Sequence, residues 1–275
     1  MWPLYFLLNK ILKTEEVEPH GSDLDHAGIL ERCPSDQPST SGKSRGAGLP
    51  CPYMVEVPHI NQLCSWDCGL ACVLMVLRTM GIDDCNIQDL ADLCGTTSIW
   101  TVDLAYLLQK FSVRFSYFTI TFGANPNYSV ETFYKEQLPT DLVRVDMLFQ
   151  KALEAGINIQ CRSINAKEIS QLILSGNYIA IVLVDQYKLS HSWVEDLILS
   201  SFQGSNSGYT GHYVVICGYD AGADEFEIRD PASSRKHERV SSKCLEEARK
   251  SFGTDEDLLL ISLGKIEKQN KSTCL

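Results

Sequence analysis

Residues 57–77 read VPHINQLCSWDCGLACVLMVL, and this stretch constrains the fold more than any other part of the chain. Pro58 requires an extended or turn entry, because it fixes φ and has no amide donor. Residues 66–80 are mostly apolar or good helix formers, and Gly81 supplies a stop, so we predict a largely buried helix. Cys68 then lies in the first turn, where unpaired N–H groups and the helix dipole stabilise a thiolate.

A possible oxyanion donor precedes this cysteine. Gln62 lies six residues upstream, ahead of the turn into the helix, and its side-chain amide could reach an oxyanion that forms at the sulfur. Cys64 and Cys72 flank Cys68 at a spacing of four residues, and no second cluster has zinc-ligand spacing, so we predict packing roles for them and no metal site. Cys68 alone also fits a small buried core residue.

The second half of the chain supplies a candidate base and a candidate orienting carboxylate. Residues 211–220 form an apolar, β-branched run headed by His212, and residues 225–229 alternate like its hairpin partner before Asp230 ends the strand. Antiparallel neighbours would place His212 and Asp230 at the same end of the sheet. With Cys68 they have the chemistry of base, orienter and nucleophile. The plainer alternatives are a core histidine and an Asp-Pro turn.

Asp67 is the residue that complicates this site. A carboxylate next to the nucleophile would raise the pKa of the thiol through like-charge repulsion, unless it caps the helix instead.

The order of elements indicates an α+β fold in which helices around Cys68 come first and a mostly antiparallel sheet follows. The continuous apolar run at 178–184 predicts a central strand. We predict a catalytic domain over 53–264, a disordered or loosely docked segment over 1–52 and a polar tail over 265–275. Residues 185–211 are a long connection of the kind that forms lids or binding loops.

Composition narrows the classes of function. The net charge of −11 argues against a general nucleic-acid binder, although a nucleotide site needs only a few local bases. The 11 cysteines form no regular framework and no secretory signal is visible, which favours the cytoplasm. The apolar opening at 2–12 is too short to span a bilayer. Gly-Lys-Ser within 39–48 lacks a preceding strand and the first glycine of a phosphate loop.

The order Gln62, Cys68, His212, Asp230 resembles the papain-like fold, and the pattern Gln-x5-Cys-Gly-x-Ala-Cys, Gly-His-Tyr-Val-Val, Asp-Pro is similar to bacteriocin-processing peptidases. Over the whole chain, including its Met-Trp-Pro-Leu opening, the sequence resembles the plant soluble guanylyl cyclase family. The stretches SIWTVDLAY and FGTDED are typical of that family. This resemblance implies conversion of GTP to cyclic GMP and pyrophosphate, with Mg or Mn as cofactor.

The cyclase resemblance also implies a set of substrate-binding residues. The family's nucleotide-cyclase signature falls here on Ser65 and Trp66 at its start and Arg78 at its end. It implies that Ser65 contacts the purine and Arg78 the phosphates, with Asp83 and Asp84 as the nearest carboxylates. On one helix, however, Ser65 and Arg78 lie about 20 Å apart at a rise of about 1.5 Å per residue.

Three functions therefore remain open. The first is a guanylyl cyclase acting on GTP. The second is a cysteine peptidase, hydrolase or acyl transferase that uses Cys68, His212 and Asp230 with Gln62 on a peptide or acyl substrate. The third is a non-catalytic binding module on the same fold, with the acidic N-terminal segment as a partner handle.

Overall fold

A computed structural model of the chain describes residues 53–190 and 209–264. The predicted N-terminal segment, the polar tail and most of the long connection after residue 185 lie outside these ranges. In the described part, no helix is long and apolar enough to cross a bilayer.

Three helices follow a short first strand, and most strands lie in the second half of the described chain. The helices are α1 Cys68–Thr79, α2 Ile87–Cys94, α3 Thr101–Lys110, α4 Thr132–Lys135, α5 Leu138–Lys151, α6 Ala166–Leu174, α7 Gln186–Ser190 and α8 Ser242–Arg249, and a 3-10 turn covers Pro126–Val130. The strands are β1 Tyr53–Met54, β2 Phe115–Thr119, β3 Ile159–Cys161, β4 Tyr178–Asp185, β5 Gly211–Asp220, β6 Glu225–Arg229, β7 Glu238–Ser241 and β8 Leu258–Ser262.

The strands form a single sheet in the order β3-β2-β8-β4-β5-β6-β7, with β1 paired to β5. The β2–β3 pair is parallel, and the other pairs are antiparallel. β4 lies at the centre, as its apolar run predicts, and its Val184 pairs with His212 of β5. The register of the β5–β6 hairpin brings Val215 opposite Arg229, so that β6 ends close to where β5 begins.

Helices cover both faces of the sheet. Along β4, Ile181 packs in one core with α1 and α3, whereas Val182 packs in a second core with α6 and α8. The predicted α+β fold class is confirmed, with the helices packed against both faces of the sheet. The physical reason is that the central strands are apolar on both sides, so each face needs a covering layer.

Helix α1 is the best-buried helix of the fold. Ten consecutive residues, 68–77, are buried, and the helix ends before Gly81, whose φ of +77° suits glycine. It begins at Cys68, two residues later than the sequence predicts. A helix that starts at a cysteine and packs against a largely antiparallel sheet, whose neighbouring strands supply His and Asp, is the papain-like α+β arrangement, and that predicted fold is confirmed.

Candidate active site

His212 and Asp230 meet as the hairpin predicts. The ring Nε2 of His212 lies 2.7 Å from Oδ1 of Asp230, within hydrogen-bond distance, and the ring is buried. The same Oδ1 accepts the backbone N–H of Ala232 at 2.8 Å, which fixes the carboxylate in place. Because Nε2 is engaged with Asp230, Nδ1 is the ring nitrogen left for another partner.

That partner is Cys68, whose side chain is hydrogen-bonded to the ring. Burial disfavours a charged ring, but the hydrogen bonds with Asp230 and Cys68 and their negative charges outweigh it and raise the pKa of His212 from 6.5 to about 9. Burial alone would raise the pKa of Asp230, yet the hydrogen bond and charge of His212 hold it below its ordinary value. The raised pKa of His212 and the lowered pKa of Asp230 favour an imidazolium paired with the Asp230 carboxylate.

Asp67 lies directly before Cys68 and is buried. Its carboxylate accepts the backbone N–H groups of Leu63 and Cys64 at 3.0 to 3.2 Å, and it makes no side-chain cap bond to α1. Asp67 thus neither caps the helix nor faces the solvent. It closes the loop that carries Gln62 into the helix, and its negative charge is neutralised in part by two amide dipoles.

Gln62 lies in this loop, but its amide is turned to a local partner. Nε2 donates to the carbonyl of Cys64 at 2.7 Å, and Oε1 is buried with no hydrogen-bond partner among the described residues. An amide nitrogen carries two donors, so one N–H is left for an oxyanion. The oxyanion role of Gln62 stays a prediction.

The segment before α1 is bound to the turn that follows β6. His59 Nε2 contacts the backbone carbonyl of Asp230 at 2.9 Å, and Asn61 donates to the carbonyls of Pro231 and Ser233. Beside this turn, buried Arg229 donates to the carbonyl of Val57 at 2.9 Å. These contacts couple the position of Asp230 to the loop that leads into Cys68, although the two segments are about 170 residues apart in sequence.

A cavity of about 410 Å³ opens beside Cys68, within the size range of small-molecule pockets. It is lined by Ser65, Trp66, Cys68, Thr97, Ser98, Ile99, Trp100, Thr101, Phe133, Tyr134, Gln137, Asp141, Leu183, Thr210, Gly211, Tyr213, Asp255 and Asp257. Ser65 and Trp66, which the cyclase resemblance implies for substrate binding, are among them.

Arg78 is not brought to this cavity. It lies near the far end of α1, where its guanidinium donates to the carbonyls of Ile82 at 2.7 Å and Cys85 at 2.5 Å. It also pairs with Asp83 at 3.5 Å, and Asp83 is largely exposed. The structure therefore separates Arg78 from Ser65 and gives it the role of satisfying carbonyls after the helix end.

The opposite wall of the cavity comes from residues that the sequence analysis quoted only as typical of a family. The stretch SIWTVDLAY contributes Ser98, Trp100 and Thr101, and the stretch FGTDED contributes Asp255 and Asp257. Non-glycine residues at positive φ, at 49° for Asp255 and 52° for Glu256, mark this second stretch as strained backbone. Strain of this kind concentrates at functional sites, but it has no signature in a single sequence.

The cavity carboxylates differ in their pairing. Asp141 accepts from Trp100 Nε1 at 2.9 Å and from Ser98, and forms an ion pair with Arg144 at 3.2 Å. Asp255 accepts from Tyr128 at 2.5 Å. Asp257 accepts from Tyr117 through Oδ2 at 3.1 Å, whereas its buried Oδ1 has no hydrogen-bond partner in the described ranges.

These residues do not make a metal centre. Across the described residues, no three His, Cys, Asp or Glu side chains converge as ligands. Asp255 and Asp257 are two neighbouring carboxylates that are held by tyrosine hydroxyls, and Mg or Mn would need more oxygen ligands than this pair supplies. The Mg or Mn that the cyclase resemblance implies therefore finds no built site here.

Comparison with known proteins gives two kinds of match. The family model described as guanylylate cyclase matches residues 57–261. The protein named Guanylyl cyclase 1 from Arabidopsis thaliana is 67% identical over 272 residues, which cover 98% of this chain and 99% of that protein.

Among solved structures, a putative C39-like peptidase from Bacillus anthracis matches 76% of this chain and 96% of its own, at 13% identity and a TM-score of 0.44. The peptidase domain of ComA, an ABC transporter of Streptococcus, matches 75% of this chain and 98% of its own, at 14% identity and a TM-score of 0.38.

Proposed function

We propose that this chain, which belongs to the guanylyl cyclase family, carries a Cys–His–Asp site that acts on peptides or acyl compounds through the thiolate of Cys68. The observation that carries the proposal is the 2.7 Å contact between His212 and Asp230 on the same ring that Cys68 contacts. A nucleophile, a base and an orienting group in mutual contact are what covalent acyl transfer requires.

The reaction follows from these positions. The Cys68 thiolate attacks the carbonyl carbon of the substrate, a C–S bond forms, and the carbonyl oxygen takes the negative charge. The backbone N–H of Cys68 at the start of α1, together with Gln62, would stabilise that oxyanion. His212 then gives its proton to the leaving amine or alkoxide as the scissile bond breaks. Water or another acceptor, deprotonated by His212, attacks the thioester and releases Cys68.

The cavity beside Cys68 supports catalysis over the third alternative, a module that only binds. A non-catalytic descendant of this fold has no need to keep the nucleophile on an open wall, whereas Cys68 lines a cavity large enough for a substrate group.

p-Nitrophenyl acetate tests the proposal, because its acyl group is small and its leaving group is coloured. We expect a burst of one p-nitrophenolate per chain and an acetyl adduct on Cys68, detected by peptide mass spectrometry. Cys68→Ala and His212→Ala should lose the burst, whereas Cys72→Ala, which removes a buried cysteine one helical turn further on, should keep it. A burst that survives in Cys68→Ala would overturn the proposal.

Cyclisation of GTP is the second candidate, because the Arabidopsis relative at 67% identity is named a guanylyl cyclase. Ser65 and Trp66 line the cavity, which supports a nucleotide there, whereas the hydrogen bonds of Arg78 engage it elsewhere. Among the described lining residues there is also no Lys or Arg to meet a triphosphate.

Mass spectrometry of GTP incubated with the chain and Mg or Mn distinguishes the two candidates. If the second candidate holds, cyclic GMP forms above the level of a mock preparation, persists in Cys68→Ala and is lost in Arg78→Ala. Our first candidate predicts no cyclic GMP above that level in any of the three proteins.

A further inference from the structure

The cavity beside Cys68 has a charge and a surface that select for one class of substrate group. Three carboxylates line it, those of Asp141, Asp255 and Asp257, and among the described lining residues no Lys, Arg or His faces them. Arg144, which lies outside the cavity lining, offsets the charge of Asp141 only in part, because it bridges Asp141 and Asp103. Among the described residues, the cavity carboxylates that form no ion pair are Asp255 and Asp257, although the charge of the buried Arg249, outside the cavity lining, also acts on Asp257.

One carboxylate oxygen of Asp257 has no hydrogen-bond donor among the described residues. Its side chain is 5% exposed, its Oδ2 accepts from Tyr117, and its Oδ1 has no hydrogen-bond partner within the described ranges. The hydroxyls of Thr101 and Thr119 interact with the carboxyl and lower its pKa, but their close contacts are with the hydroxyl of Tyr213 at 3.0 Å and a backbone carbonyl at 3.0 Å, and neither satisfies Oδ1. A buried carboxylate oxygen without a donor is costly, and a ligand that brings a donor removes the cost.

Aromatic rings surround the same space. Trp66, Trp100, Phe133, Tyr134 and Tyr213 line the cavity. The ring of Tyr134 lies 5.2 Å from that of Trp100 and 5.0 Å from that of Phe133, centroid to centroid. Aromatic walls with carboxylates form the environment that binds ammonium and guanidinium groups, through cation–π attraction and charge-assisted hydrogen bonds.

From this combination we propose that the substrate of Cys68 carries a cationic group, an amine or a guanidinium, which binds in the cavity between the aromatic wall and Asp257. The inference rests on the proposed acyl-transfer function. Burial and the charge of Asp255 hold the pKa of Asp257 well above its usual range, and a bound cation offsets both effects. Tyr213, which contacts Thr101 at 3.0 Å, interacts with both Cys68 and Asp257, so the nucleophile and the proposed cation site share this neighbour.

Three methanethiosulfonate reagents that differ in charge provide the test: the trimethylammonioethyl, the methyl and the sulfonatoethyl compounds. In each case the sulfur of Cys68 attacks the sulfenyl sulfur of the reagent. A disulfide bond to the alkylthio group forms, the bond to the sulfonyl sulfur breaks, and methanesulfinate is released. We expect the rate for the cationic reagent, divided by the rate for the neutral one and normalised to free cysteine, to be at least about tenfold above one. Asp257→Asn should reduce that ratio by about tenfold.

Asp84→Asn serves as the matched control, because Asp84 is exposed and outside the cavity; it should leave the ratio unchanged. Asp255→Asn is the second variant and should lower the ratio if Asp257→Asn does not fold, as judged by near-UV circular dichroism. A ratio near one in the wild type, with Cys68 modified by the neutral reagent, overturns the cationic substrate and leaves the cysteine site standing. A Cys68 that no reagent modifies overturns the proposed function itself.

Discussion

Replacement of Asp230 by Asn keeps the shape of the side chain and removes the charge that His212 faces at 2.7 Å. The rise of the His212 pKa from 6.5 to about 9 corresponds to about 3 kcal/mol, at about 1.4 kcal/mol per pKa unit. This is an upper limit for Asp230, because Cys68 contributes part of the rise. In Asp230→Asn, burial should therefore return the pKa of His212 toward or below 6.5.

The sign of the effect on stability follows from linkage. A raised histidine pKa contributes stability that is fully present below pH 6.5 and is lost as the pH rises through about 9. The lowered pKa of Asp230 contributes stability that is lost only as the pH falls through that depressed value. The free energy of unfolding should thus differ between wild type and Asp230→Asn by up to about 3 kcal/mol at pH 6, and by much less at pH 9.5.

Urea denaturation at several pH values measures this difference, and subtraction of the variant from the wild type removes the contributions of other titrating groups. NMR of isotope-labelled histidine gives the pKa of His212 directly, with the resonance assigned from His212→Gln. Asp84→Asn, an exposed carboxylate, is the control and should leave both measurements unchanged. A wild-type His212 that titrates near 6.5, or a stability difference that does not depend on pH, would refute the reasoning.

Two further predictions concern the framework of the site. Arg229→Met should lower the free energy of unfolding by about 3 to 5 kcal/mol, because it leaves the carbonyl of Val57 without this donor and Glu227 without its 2.9 Å buried partner. The control Arg235→Met changes an exposed ion pair and should cost no more than about 1 kcal/mol. Equal losses of the two variants in urea denaturation would contradict this prediction. Gly253→Ala should lower the free energy of unfolding by roughly 1 to 3 kcal/mol, because φ at this position is +106° and the new Cβ would lie 2.8 Å from the ring of Tyr209. An unchanged midpoint of thermal unfolding would contradict this, because it would show that the backbone before Asp255 tolerates a side chain.

The meeting of Cys68, His212 and Asp230 in the candidate site was predictable from sequence because its signals are local. The long apolar stretch that ends at Gly81 specifies a buried helix, and the β-branched run after Gly211 specifies a buried strand. Antiparallel pairing of the 211–220 and 225–229 segments then brings His212 and Asp230 together without any knowledge of the rest of the fold. The sequence predicts that Cys68 lies in the first turn of the helix, and Cys68 is the first residue of α1, two residues after the predicted start.

The substrate half was not predictable, because it is assembled from distant and locally irregular segments. Asp257 comes from a stretch with left-handed backbone at two non-glycine residues, which no periodicity indicates. Trp100 and Tyr134 meet through tertiary packing alone. Strand β7 has no strong sequence signal for a related reason: its Glu238 and Arg239 are charged, and the strand is recognised by its pairing, in which Arg239 lies opposite Glu227 and pairs with it at 3.5 Å.

The direction of the Gln62 side-chain amide could not be predicted from the order of residues. Its position before the helix is as the papain-like resemblance implies, but the amide direction depends on the turn that Asp67 closes, and there it donates to Cys64. A sequence specifies the position of a side chain far more strongly than its rotamer.

The most direct test of the central claim is the rate at which iodoacetamide alkylates each cysteine at pH 6, followed by peptide mass spectrometry. If His212 and Asp230 hold a thiolate at Cys68, this buried residue should react faster than the exposed Cys64 and Cys161, and His212→Ala should abolish that advantage. If Cys64 and Cys161 react first while Cys68 stays unmodified, or if His212→Ala leaves the rate at Cys68 unchanged, the cavity does not contain an activated nucleophile.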